Sequence, residues 1–368
     1  MIVVCGFQRI GVFRIIGSRL LEKVSTMRGL VITLVALTFF SAMFITNDVA
    51  LVTFVPFAVA VLIMAGQEDK TILVVTLMTI GANVGSMLTP IGNAHNLYLK
   101  ALTGMPTMEF LGIMAPYSGT AAVLLVIVIS VVFGGKPVGD LGDLEFENFN
   151  AASAKIYTDL GLFTANKDIN DDVQDLFNVM TGYGLVSHYG AGYGGWRTIV
   201  YSLLFIVCLL AVSDVIPLWV MCVIVVVVFL FTDRRVFKYV DWGLPLTFCM
   251  FFIFIGNMKR VPEFYELARS LVGGHPLEVA VGSSQVISNV PTTILLSGFC
   301  DQWRDLIIGT NLGGMGTLIA SMASLISYKN VVRQYPHKKG RYLAVYSAVN
   351  VLFLAVLLTL SWIIEPSL

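Results

Sequence analysis

Charge is what this sequence has least of. Of 368 residues only 12% are Asp, Glu, Lys or Arg, and 23 basic side chains cancel 23 acidic ones to a formal net charge of zero. Soluble domains carry about 25% charged residues. With 57% hydrophobic residues and a mean hydropathy of +0.84, the chain reads as an all-α polytopic membrane protein whose surroundings are the lipid bilayer. The absence of a basic surplus gives no reason to expect a nucleic-acid partner. Cys5, Cys208, Cys222, Cys249 and Cys300 lie in or beside apolar segments without metal-ligand spacing, so they read as core-filling thiols. No Gly-Lys-Ser/Thr phosphate loop occurs, so ATP is not expected to drive the protein. No constellation of side chains marks an enzyme or a resident cofactor. The first ten residues lack the charged region and small-residue cleavage site of a signal peptide.

Against this apolar background a few polar words stand out. Thr46-Asn47-Asp48 interrupts the run FFSAMFITNDVALVTFVPFAV, and Ser288-Asn289-Val290-Pro291-Thr292-Thr293 interrupts VGSSQVISNVPTTILLS. Amides and carboxylates cost free energy in hydrocarbon and mark functional positions there. Two Gly-rich segments follow at similar places, GANVGSMLTPIGNAHNL (81–97) and GTNLGGMGTLIASMASL (309–325). They put Asn83 and Asn311 at equivalent positions, with Thr89 and Thr317 six residues on. The stretches 29–65 and 275–300 read as re-entrant helical hairpins with tips at 46–49 and 288–291, Pro291 supporting the second break. Residues 71–100 and 306–328 read as broken spanning helices, since non-helical backbone at membrane depth survives only where protein or water covers it. Spans are expected at 111–133, 198–213, 215–231, 242–257 and 342–364. Basic amphipathic stretches at 8–27 and 258–272 precede the hairpins and read as interfacial helices. The pattern is that of a transporter made of two related halves.

Charge placement orients the chain. Loop 329–341 (Lys329, Arg333, Lys338, Lys339, Arg341) and loop 233–238 (Arg234, Arg235, Lys238) should be cytoplasmic. Counting back from them places loop 134–196 on the same side and brings the two hairpins in from opposite faces, as inverted repeats do. The division is an N-terminal repeat (1–133), an inter-repeat loop (134–196) and a C-terminal repeat (197–368). Gly256-Asn-Met-Lys-Arg260 matches Gly6-Phe-Gln-Arg9, yet about two and a half spanning helices precede the former and five residues the latter. The symmetry therefore calls for roughly fifty further N-terminal residues.

TNDVALVTFVP, TPIGNAHN, SQVISNVPTTILLSGF and GTNLGGMGTLIASMASLISY resemble the ion-transporter superfamily of citrate-transporter-like permeases, arsenite permeases and divalent-anion/sodium symporters. The resemblance covers about residues 1–133 and 196–364. It implies two inverted repeats, elevator-like alternating access, a small anion or other ion as substrate, and a homodimer. By resemblance to the symporter branch, each hairpin tip and its facing broken helix form a cation site. Ser284, Ser288, Asn289 and Ala320 fall on the second, a possible Na⁺ site. Thr46, Asn47 and Gly92 fall on the first, where Ala42 replaces a hydroxyl and Asp48 stands in place of threonine. That departure is closer to the arsenite and citrate permease branches. Transport of a citrate-like or arsenite-class anion coupled to H⁺ or Na⁺ is the leading expectation; Na⁺/H⁺ antiport, or a non-functional fragment, is the alternative.

Side-chain and unwound backbone oxygens suit Na⁺, and half-helix N-termini suit an anion. The expected pocket is Thr46, Asn47, Asp48, Asn83, Thr89, Gly92, Asn93, Ser284, Ser288, Asn289, Thr292, Asn311, Thr317 and Ala320. Asp48 is either a proton-coupling carboxyl raised in pKa by burial or a cap of the second hairpin arm. His95 reads as a structural histidine.

Residues 134–196 differ from the rest, with an acidic stretch from Asp140 to Asp175. Residues 148–184 resemble a piece of polyphosphate kinase near its C-terminal catalytic region. They lack that enzyme's phosphate-binding and phosphorylated-histidine segments, so no catalysis is expected of them.

Overall fold

A computed structural model describes residues 2–9, 24–135, 137, 194–213, 215–240, 242–258 and 260–364. Among these the backbone is helical apart from connections; the one β pairing is an isolated bridge between Thr26 and Pro137. The helices are α1 (Ile2–Arg9), α2 (Met27–Ile45), α3 (Asn47–Met64), α4 (Thr71–Leu88), α5 (Ala94–Thr103), α6 (Thr107–Val132), α7 (Gly194–Val212), α8 (Leu218–Thr232) and α9 (Val236–Tyr239). They continue with α10 (Gly243–Met258), α11 (Pro262–Val272), α12 (Pro276–Ile287), α13 (Asn289–Leu296), α14 (Trp303–Leu312), α15 (Met322–Gln334) and α16 (Lys339–Ile364). Among the described residues, five helical segments are long and apolar enough to cross a membrane: Met27–Ile45, Glu68–Leu88, Thr107–Val132, Gly195–Val212 and Pro336–Ile364. The protein is an all-α polytopic membrane protein. Most of the basic stretch 8–27, and nearly all of the inter-repeat segment 134–196, lie outside the described residues.

The polar words fall where the helices break. Chain direction changes at Thr46, between α2 and α3, and at Ser288, between α12 and α13. These are the two non-glycine residues, among those described, with positive φ, 72° at each. Pro291 lies inside the first turn of α13 and does not make the break. A missing N–H is tolerated there because first-turn donors have no intrahelical partner. The hairpins differ in length. The 19 and 18 residues of α2 and α3 extend about 28 and 27 Å, close to the roughly 30 Å hydrocarbon thickness. The 12 and 8 residues of α12 and α13 reach only about 18 and 12 Å. The expected basic loop 329–341 is largely helical: α15 runs to Gln334, Pro336–Lys338 forms a 3₁₀ turn, and α16 starts at Lys339.

Residues gather into two compact units, each drawing on both sequence halves. The first contains Met1–Leu34, Thr53–Asp69 and Gly134–Asp241. Its core packs α1, α7, α8 and α9 around Phe7, Tyr201 and Phe229. Tyr201 stacks on Phe229 at 4.9 Å and meets Phe7 edge-on at 6.4 Å. The Tyr201 hydroxyl donates to Asp233 Oδ2 at 3.4 Å, and Arg197 approaches the same oxygen at 3.5 Å. The buried carboxylate is thereby paired rather than stranded.

The second unit contains Val35–Val52, Lys70–Phe133 and Trp242–Leu368. Its centre is α4, buried along nearly its whole length against α6, α15 and α16. Close approach depends on two matched glycine pairs. Gly81 and Gly85 face Val35 and Phe39 of α2, while Gly309 and Gly313 face Leu277 and Ser284 of α12. A Cβ on Gly85 would sit 2.1 Å from the Phe39 carbonyl oxygen, and one on Gly309 2.6 Å from that of Leu277. Four residues apart on a helix, each pair forms one smooth strip on which a hairpin arm lies. Both tips and both broken helices fall in this unit.

Candidate functional site

Each hairpin tip docks on a gap between two helices. The first gap, residues 89–93, separates α4 from α5; the second, 313–321, separates α14 from α15. The docking contacts correspond bond for bond. The Asn47 backbone N–H donates to the Gly92 carbonyl at 3.2 Å, and that of Asn289 donates to the Ala320 carbonyl at 2.9 Å. The Thr89 hydroxyl donates to the Met43 carbonyl, and the Thr317 hydroxyl to the Gln285 carbonyl. The Gly92 N–H reaches the Thr89 carbonyl at 3.3 Å, and the Ala320 N–H the Thr317 carbonyl at 3.2 Å. Every backbone group freed by the breaks must find a partner away from water, and these bonds supply several of them. The positive φ of Thr46 and Ser288 turns the following N–H toward the gap, a conformation costing about 1–3 kcal/mol in a non-glycine residue.

Buried amides then tie the two gaps together. Asn47 Nδ2 donates to Asn83 Oδ1 at 3.0 Å. The same oxygen accepts from Ser321 Oγ at 3.4 Å, and Asn83 Nδ2 points to the Gly314 carbonyl at 3.4 Å. From the other side, Asn311 Nδ2 donates to Asn96 Oδ1 at 2.7 Å and to the Ile307 carbonyl at 2.8 Å. Asn96 Nδ2 returns to the Ser86 carbonyl at 3.3 Å. Each broken helix thus sends an asparagine across to the other. All four amides are at least 95% buried.

The expected site residues divide by role. Thr46, Asn47, Asn83, Thr89 and Gly92 meet at the first gap, and Ser288, Asn289 and Ala320 at the second. Ser284 is buried one turn before the second tip, and its hydroxyl donates to the Ala280 carbonyl at 2.7 Å. That leaves its lone pairs as acceptors facing Gly313, whose Cβ position lies 2.7 Å from Ser284 Oγ. Ser288 Oγ shares the Ala320 carbonyl at 3.3 Å. Asn289 turns its amide toward Gly314, where a Cβ would meet Nδ2 at 2.8 Å. Thr292 is fully buried, with its hydroxyl lacking a hydrogen bond, an orphan that a bound ligand would satisfy. Asp48 occupies the first turn of α3, half-buried, where a carboxylate meets the positive end of the helix. Its N–H donates to Asn47 Oδ1 at 2.9 Å. Asn93 caps α5 through its backbone carbonyl, which accepts from the Asn96 and Leu97 N–H groups at 3.1 and 3.2 Å, while its side chain makes no cap bond. Thr317 is exposed and serves as a tie rather than a buried ligand. Asn311 joins Asn96, with the fully buried His95 alongside.

Four further residues belong to this network. Ser321, the counterpart of Asn93, caps α15 by accepting from the Ser324 N–H at 3.2 Å. Ser324, the counterpart of Asn96, shares a hydrogen bond with Ser321 at 2.8 Å and accepts from the Tyr346 hydroxyl of α16. Asn96 and Gln285 complete the set. The alignment of 81–97 with 309–325 carried the signal for Ser321, Ser324 and Asn96. No sequence signal distinguished Gln285.

The second unit can therefore present side-chain oxygens, unwound carbonyls and two helix N-termini in one buried place. Those are ligands for a hard cation and for an anion. A family model described as citrate transporter matches residues 1–302. The inner membrane protein YbiR of Escherichia coli is 27% identical over 337 residues, covering 89% of this chain and 77% of that protein. The uncharacterized transporter MJ0456 of Methanocaldococcus jannaschii is 28% identical over 329 residues, with the same shares. A short segment is also 50% identical over 42 residues to a polyphosphate kinase of Prosthecochloris aestuarii, 11% of this chain and 6% of the kinase. The family match spans the first gap and both tips, and the transporter relatives span most of the chain: the protein belongs to the citrate transporter family.

Proposed function

We propose that the protein is a secondary active transporter of a small anion or oxyanion, of the citrate-like or arsenite class, coupled to H⁺ or Na⁺ in the bacterial inner membrane. The observation that carries this reading is the paired docking of Asn47 on Gly92 and Asn289 on Ala320, each behind a residue at φ 72°. Strained backbone, buried amides and interrupted helices at one place are hard to account for by folding alone. The N-termini of α5 and α15 point positive dipole ends at the gaps and suit the anion. Ser284, Ser288, Asn289 and the Ala320 carbonyl form a hard-oxygen set for Na⁺, and Asp48 is the group placed to carry a proton. In this reading the halves are inverted repeats, and the second unit moves as an elevator to expose the gaps to each side in turn.

Uptake of radiolabelled citrate and arsenite into proteoliposomes tests the proposal, under imposed H⁺ or Na⁺ gradients. Gradient-driven accumulation is expected, lost on Asn289→Ala. Exchange of Na⁺ for H⁺ without anion uptake would instead make the protein an antiporter. Asp48→Asn separates the coupling ions: proton-driven uptake should lose its pH dependence, whereas unchanged dependence would remove Asp48 from that role.

A further inference from the structure

The Gln285 side chain is the most fully engaged amide at the second gap. Its Nε2 lies 2.9 Å from the Met315 carbonyl oxygen and 3.0 Å from that of Gly313, with Val281 of its own helix at 3.2 Å. Its Oε1 accepts from the Thr317 backbone N–H at 2.8 Å. A backbone N–H only donates, so the orientation of the amide is fixed. Gly316, at φ 111°, lets it in: a Cβ there would lie 2.4 Å from Oε1. At the first gap no amide comes from the hairpin; Asn96 of α5 makes only longer contacts, 3.3 Å to the Ser86 carbonyl and 3.5 Å to that of Thr89. The residue corresponding to Gln285 is Met43, whose carbonyl accepts from Thr89 as that of Gln285 accepts from Thr317. A thioether offers no N–H to unwound carbonyls.

Unwound carbonyls at membrane depth need a positive partner, and in transport proteins that partner is commonly the coupling cation. We propose that Gln285 is a tethered replacement for a cation at the Gly313 and Met315 carbonyls, and so a specificity-determining residue. Two N–H dipoles hold both oxygens without net charge, whether or not an ion is present. The backbone of residues 313–317 keeps its shape independently of the coupling ion, and any cation there is confined to the tip and the end of the gap, at Ser284, Ser288, Asn289 and the Ala320 carbonyl. Ion-dependent change of backbone then belongs to the first gap, where the hairpin offers Met43 and the Thr89 carbonyl is met only by the Gly92 N–H at 3.3 Å and, at a long 3.5 Å, by Asn96 Nδ2. The inference concerns the gap itself and stands whatever anion is carried.

Hydrogen exchange of the full-length purified protein reads it directly, in saturating NaCl and in choline chloride. Wild-type exchange over residues 313–317 should be slow and equal in the two salts. Gln285→Leu removes the clamp, and exchange there should quicken at least ~10-fold in both salts. Gln285→Glu sets a carboxylate against two carbonyls, so its Tm should rise with NaCl or on acidification, unlike that of Gln285→Leu. Na⁺ slowing of wild-type exchange at 313–317, or unchanged exchange in Gln285→Leu, would overturn the proposal. So would identical salt responses of the Glu and Leu variants. Should Gln285→Glu fail to fold, the wild-type and Leu exchange data decide the question by themselves.

Discussion

Asn83 is the amide on which the first gap turns, and replacing it with alanine has a cost that follows from its bonds. Asn47 Nδ2, 3.0 Å away, loses its acceptor inside a site closed to water. Ser321 keeps its bond to Ser324, and the contact with Gly314 is long at 3.4 Å. The loss is therefore dominated by one stranded donor, about 1–3 kcal/mol by the cost of a buried unsatisfied group. Interhelical hydrogen bonds measured within membranes average only about 0.6 kcal/mol and reach about 1.7. The upper part of that range applies here, because the tip backbone is held on Gly92 and Asn47 Oδ1 accepts from the Asp48 N–H, so the side-chain amide cannot swing freely to another acceptor. A double-mutant cycle of Asn47→Ala and Asn83→Ala, read by equilibrium unfolding in mixed micelles, isolates the pair. A coupling of about 1 kcal/mol is expected. Additivity within ~0.3 kcal/mol would mean the bond contributes nothing, and the first tip is not fastened as described.

Three other outcomes follow. Gly85→Ala would place a Cβ 2.1 Å from the Phe39 carbonyl, so α2 must leave α4 and thermal stability should fall sharply; Gly112→Ala, with open space around it, should be neutral to stabilising by up to ~1 kcal/mol, and equal effects at the two glycines would refute the close approach. Ser288→Gly should relieve part of the ~1–3 kcal/mol of backbone strain and be about 1 kcal/mol more stable than Ser288→Ala, which keeps the strain and loses the same hydroxyl; the reverse order in unfolding measurements would remove strain from the account. Tyr346→Phe deletes the donor to Ser324 and should lower stability by about 1 kcal/mol, with no change expected only if that hydroxyl idles.

The sequence showed where the helices break better than how. Asn47 and Asn289 were visible because an amide in an apolar run is conspicuous, and the two Gly-rich words located the gaps for the same reason. The strain at the tips was not readable. Thr46 is β-branched, the residue type least expected at positive φ, and only the docked N–H of Asn47 explains it. Pro291 drew attention as a breaker, but a proline breaks a helix only past its first turn, and here it sits within that turn. The stretches 29–65 and 275–300 already showed that the second hairpin is the shorter, but not that its arms cross only part of the membrane, because hydropathy cannot separate a half-crossing arm from a full one. Gln285 went unnoticed because a single glutamine in a helix reads as interhelical glue; its role depends on the path of residues 313–317, which no periodicity encodes. Thr317 looked like a buried ligand by symmetry with Thr89, yet is exposed, because the second gap is several residues longer than the first.

The central claim is that two docked tips form the moving site of a gradient-driven transporter. Its most direct measurement is accumulation of labelled citrate and arsenite in proteoliposomes under imposed H⁺ and Na⁺ gradients, for wild type and for Asn47→Ala and Asn289→Ala variants of preserved fold. The account predicts uphill accumulation of at least one of these anions, dependent on a gradient and indifferent to ATP, and its loss in both variants. Gradient-independent uptake, no uptake of either anion, or full activity in either tip variant would contradict it.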